Sequence, residues 1–152
     1  MKTFVTRSLF FAICIGLSAC ANQPLRTPSG RPEVAVRAAL SRSQNAAIET
    51  MTTDGFALVS QSSNALVFER DLPPAQSAVL LMGVGNSYYS QPKAIIRLTF
   101  IPTGGLTKIS GSVQASTQGP FGQVKNMDMT GGRAAQELQG TLETIKRRLG
   151  GQ

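Results

Sequence analysis

Lys93-Ala-Ile-Ile-Arg-Leu-Thr-Phe-Ile101, Pro102-Thr-Gly-Gly105 and Leu106-Thr-Lys-Ile-Ser-Gly-Ser-Val-Gln-Ala115 read together as two strands and the turn that joins them. In the first, Ile96, Leu98 and Phe100 alternate with Ile95, Arg97, Thr99 and Ile101. In the second, Thr107, Ile109, Gly111 and Val113 alternate with Leu106, Lys108, Ser110 and Ser112. A period of two sends successive side chains to opposite faces, so one face of this hairpin is dry and the other wet. Antiparallel sheets tolerate that asymmetry, because water can cover the polar side.

Strands continue upstream. Phe56-Ala-Leu-Val-Ser-Gln61 and Ala65-Leu-Val-Phe-Glu-Arg70 flank Ser62-Ser63-Asn64, a tight-turn composition, and Asp71-Leu-Pro-Pro74 stops the second strand because proline cannot donate to a ladder. The apolar run 77–84 reads as a third strand, loosened at its end by Gly83-Val-Gly85-Asn86. Glu33-Val-Ala-Val-Arg37 reads as a short first strand or as the opening turn of a helix started by Pro32.

Two helices complete the pattern. The first is expected from Ser41, with Ser41 as N-cap and Gln44 three residues on in a capping-box spacing, an Ala47–Ile48–Met51 stripe, and Gly55 as its stop. The second carries Ala134, Ala135, Leu138, Leu142, Ile145 and Leu149 at spacings of three and four, with Glu137 and Glu143 ahead of Lys146, Arg147 and Arg148, the charge order that suits a helix dipole. The expected fold is therefore α+β: a two-layer domain of mainly antiparallel sheet, with about five or six strands, packed by two helices. Element order alone makes a helix-grip arrangement, or the compact domains of envelope-assembly lipoproteins, the nearest analogy.

The amino-terminal segment has a different character. Lys2 and Arg7 precede Leu9-Phe-Phe-Ala-Ile-Cys-Ile-Gly-Leu17, which runs into Ser18-Ala19-Cys20. A basic start, a short apolar stretch and a small-residue junction make a signal peptide rather than a spanning helix, which needs about 20 apolar residues. Leu17-Ser18-Ala19-Cys20 resembles the lipobox of bacterial lipoproteins. The resemblance covers this segment only. It implies cleavage after residue 19, a diacylglycerol on the Cys20 thiol, and anchoring by several acyl chains. Ala21, standing where an aspartate often signals inner-membrane retention in enteric-type bacteria, implies sorting to the outer membrane with the domain facing the periplasm. The chain then divides into 1–19 (signal), 20–31 (lipidated cysteine and tether) and 32–150 (a single α+β domain). The tether holds Pro24, Pro28, Ser29 and Gly30 and has no apolar face.

Composition narrows function. The chain has two cysteines, Cys14 and Cys20, and no histidine. Loss of the signal leaves Cys20 alone, so no disulfide, CxxC pair or cysteine zinc site is available, and histidine-dependent triads are excluded. Removing Lys2 and Arg7 from the 15 basic residues leaves 13 against eight acidic ones, about +5 for the mature chain. This favours anionic headgroups or an acidic partner; the scattered basic residues do not make a nucleic-acid surface. Gly83-Val-Gly85 lacks the remainder of a dinucleotide fingerprint, and no serine lies in a GxSxG elbow. Glu69 and Asp71 lie close together without an ordered ligand set. The expectation is a protein that is not an enzyme, with no metal and no cofactor beyond the covalent lipid. Its expected function is an interaction or scaffold module with an envelope protein partner; the alternatives are a small-ligand or lipid carrier and, less favoured, an enzyme. Candidate contact residues are Tyr88 and Tyr89, the only tyrosines, adjacent in a polar loop, and Phe121, within the glycine-rich stretch 116–124. Met127 and Met129 are expected to fill core space.

Overall fold

The computed structural model describes residues 25–74, 76–77, 91–119 and 121–150. Their elements are β1 (Glu33–Val36), α1 (Leu40–Thr53), β2 (Ala57–Gln61), β3 (Ala65–Asp71), β4 (Lys93–Thr103), β5 (Leu106–Gln118), β6 (Val124–Asp128) and α2 (Gly132–Arg148). The six strands form one antiparallel sheet with the order β1-β5-β4-β3-β2, and β6 pairs with β5 beyond the end of β1. Both helices pack on one face, giving a two-layer α+β fold.

The β4–β5 hairpin is the centre. Its register runs from Lys93↔Ser116 to Thr103↔Leu106, and the turn falls at Gly104 and Gly105, both at positive φ. Ile96, Leu98, Phe100, Ile109 and Val113 are buried on the helix side, as their alternation requires. Leu66 and Phe68 of β3 join them, and Ala47, Met51, Leu138, Leu142 and Ile145 close the core from above. The opposite face carries Arg97, Thr99, Ser110, Ser112 and Gln114 and is solvated.

Glu33–Val36 is a strand and not a helical turn; Val34 and Val36 are buried against β5 and α2. The N-cap of helix α1 lies two residues earlier than expected. Ala39 takes the N-cap position without a side-chain cap, so Ser41 does not cap it. Gln44, freed from any capping box, donates from Nε2 to the Ser63 carbonyl at 3.2 Å and ties the helix to the β2–β3 turn. At its far end the helix stops as expected. Gly55 has φ +82°, its N–H donates to Thr52 O, and the Phe56 N–H donates to Met51 O, both at 3.0 Å. That is a Schellman ending, and it drops Phe56 into the core beside the helix.

Two expectations need correction. The stretch 116–124 is not a loop: β5 continues through Gln118 and turns back as β6, because the period of two persists through Ala115 and Thr117, both buried. The strand expected over 77–84 lies mostly outside the described residues, and its first residue, Ser77, is helical. Pro73 and Pro74 start a turn there in which the Ser77 N–H donates to Pro73 O at 2.9 Å. β3 consequently pairs directly with β4, from Ala65↔Thr99 to Asp71↔Lys93.

Candidate functional site

Three features of the described surface invite contact: a groove, a bare sheet edge and a projecting hairpin. The groove lies where α1 ends and α2 begins above the sheet. Its volume is about 700 Å³, and its walls include Met51, Phe56, Leu72, Ile96, Met129 and Leu138. That volume falls in the range of small-molecule sites, which are apolar with a few polar groups at the rim. Here the rim groups are Asp54, Arg70, Arg133 and Glu137. Arg70 is fixed: its guanidinium stacks 4.2 Å from the Phe56 ring centroid and donates to the Asp54 carbonyl at 2.8 Å. Arg133 and Glu137 pair at 2.9 Å one helical turn apart, on the exposed side of α2.

The two lateral edges of the sheet differ. On the β1 side, the Glu33 N–H donates to Gln139 Oε1 at 2.8 Å and Gln139 Nε2 donates to the Glu33 carbonyl at 3.1 Å. The amide of Gln139 thus stands in for a neighbouring strand residue at Glu33 of β1. The Glu33 carboxylate turns to Lys108, 2.7 Å away, and also accepts from the Ser29 N–H. Its pKa lies below the ordinary value, first because of the Lys108 hydrogen bond and then, against the cost of burial, through Ser29. On the far side, β2 has no such cover among the described residues. Ala57-Leu-Val-Ser-Gln61 is exposed throughout, uncharged and without proline, and a bulge at Val59 interrupts its pairing with β3. Native edges are commonly blunted by charge, proline or a bulge, and this one carries only the bulge.

The third feature is the tip of the β5–β6 hairpin. The Gly119 N–H donates to Gln123 O at 2.8 Å and the Gly122 N–H to Gly119 O at 3.0 Å, with Gly122 at φ +78°. Phe121 sits on this fixed turn, 86% exposed; it does not fold back onto the core. Val124 beside it is 62% exposed. Met127 and Met129 pack against the core, as expected, and Met129 also forms part of the groove wall.

Of the other residues singled out in the sequence, Cys20, Ala21, Tyr88, Tyr89 and the Gly83-Val-Gly85 segment lie outside the described residues. Glu69 engages Lys93 at 2.9 Å and raises its pKa, which makes the Glu69/Asp71 pair a charge-matched strand end. Among the described residues no three acidic or cysteine side chains converge as a metal site, and no helix is long and apolar enough to cross a membrane. The β2 edge and the residues that line the groove escaped the sequence reading. Strand order is set by tertiary pairing, and nothing local marks β2 as terminal. No protein-family model matches the chain, and no curated protein matches it.

Proposed function

We propose that this chain is a lipid-anchored protein of the bacterial outer membrane, held through Cys20 and facing the periplasm, that acts as a non-enzymatic interaction module in an envelope assembly. The observation that supports it best is the β2 edge, uncovered among the described residues. An extended segment of a protein partner can add there as a further strand, taking main-chain hydrogen bonds from the edge and apolar contact from Leu58 and Val59. Tyr88 and Tyr89 remain proposed contact residues of the same module. The lipid confines the module to the membrane surface, where any partner held in the envelope meets it at high effective concentration.

The test is crosslinking in the native cells with the full lipoprotein, comparing the parent with Val59→Lys. Val59 is half exposed, so the charge spares the core while blunting the edge. The expected outcome is a saturable envelope partner captured by the parent and lost with Val59→Lys. Capture unchanged by this variant removes the edge from the reading. Loss on changing Tyr88 and Tyr89 to alanine would then move the contact to that loop.

A second reading, a carrier of a small apolar ligand or lipid, is favoured by the groove. Native mass spectrometry of the detergent-purified protein should then show a lipid-sized adduct that Met129→Arg abolishes. A single mass, that of the lipidated chain alone, counts against it.

A further inference from the structure

The edge of β5 carries β1 and β6 in succession, and the tether enters where they meet. The Gly111 N–H donates to Pro32 O, and the Met129 N–H donates to Val113 O, so the start of β1 and the end of β6 sit within a few residues of each other on β5. Arg31 lies near enough to Asp128 to act on its charge, alongside the Thr130 hydroxyl and N–H that hold its carboxyl below the usual range. From this junction the β5–β6 hairpin projects further, from Gln114↔Asp128 to Gln118↔Val124, about 15 Å of strand before the turn. Extended chain from Cys20 to Thr27 reaches up to about 23 Å. The lipid attachment point can therefore lie level with the hairpin tip. Around this end basic residues outnumber acidic ones: Lys125 and Asp128 are the charges from Ser116 to Asp128, and the tether bears Arg26 and Arg31 with no acid.

We propose that the hairpin tip, through Phe121 and Val124, is a second membrane contact that inserts into the bilayer interface and orients the domain above the lipid on Cys20. The inference rests on the lipid-anchored reading. An aromatic side chain carries much apolar area with few rotatable bonds, so it loses little conformational freedom on insertion. The orientation also sets the β2 edge, on the opposite side of the sheet from β6, to the side of the molecule and clear of the bilayer.

The chain has no tryptophan, so Phe121→Trp is a single fluorophore at the tip. Ile101→Trp, at the β4–β5 turn and the other end of the sheet, is its control. Each variant is made as the full lipidated chain and reconstituted into vesicles of phosphatidylethanolamine and phosphatidylglycerol, with and without brominated acyl chains. Intact mass reports the lipid on Cys20, and flotation reports attachment. The expected result is a blue-shifted Phe121→Trp emission that loses about half its intensity or more to the brominated chains, with Ile101→Trp unmoved. Equal, unshifted emission from both variants on a floating, lipidated protein overturns the inference and leaves the anchor standing. Emission of Phe121→Trp that shifts in native envelopes but not in protein-free vesicles also overturns it, in favour of a protein contact. A chain without lipid mass overturns the anchored reading and this inference together.

Discussion

Gly111 has no room for a side chain. A Cβ there would lie 2.6 Å from Leu138 Cδ2 and 3.2 Å from Leu98 Cδ2, so α2 crosses β5 at a point the glycine leaves free. Gly111→Ala is expected to destabilise the fold by about 1–3 kcal/mol in chemical denaturation, the usual cost of overpacking. The double variant with Leu138→Ala should lose less than the sum of the two single changes. The alternation of β5 placed Gly111 on the dry face, but only the packed helix explains why that position is glycine. Glu33 gives a second residue-level case. Its folded-state pKa lies below the unfolded 4.5, so its contribution is full above that value and fades as pH falls through the lower folded one. Glu33→Gln is expected to cost about 1 kcal/mol at neutral pH, modest because Lys108 is half exposed and screened. In thermal melts the gap should close on acidification well below 4.5. A gap independent of pH would assign Glu33 a steric role instead.

Among the elements, the central hairpin and α2 were legible because each repeats one period for long enough: two over the 11 and 13 residues of β4 and β5, and three-and-four spacing over the 17 of α2. β6 was not, because Val124-Lys-Asn-Met-Asp128 is polar and exposed at most positions and becomes a strand only by borrowing the edge of β5. The N-cap of α1 was misplaced by two residues for a similar reason. Ser41 and Gln44 have capping chemistry, but Gln44 gains more by satisfying the carbonyl of a turn eighteen to nineteen residues away. Gln139 shows how an element is completed by a distant side chain. Gln139→Ala removes both hydrogen bonds to the Glu33 backbone and is expected to cost about 1–3 kcal/mol. Hydrogen exchange should report faster exchange at the Glu33 amide, with the β4–β5 amides unchanged. Protection persisting at Glu33 would mean that β1 is held by its β5 pairing alone.

For the molecule as a whole, the core of the described residues runs from Val34 to Leu149, and the tether contacts, made by Ser29 and Arg31, come well after Cys20 in the chain. Cys20→Ser is therefore expected to release the protein from the membrane fraction while leaving the melting temperature of the domain within error. A lowered melting temperature would show that the tether packs on the domain. The layer count was determined by the sequence itself, since a sheet with one apolar face must be covered by helices with an apolar stripe. Strand order, a β2 edge left uncovered by the other described residues, the Gln139 contact with β1, the lining of the groove and the reach of the Phe121 hairpin were decided only by the tertiary structure. Each depends on which non-local backbone groups pair, and a local pattern specifies which face of a strand is buried without specifying the neighbour it finds.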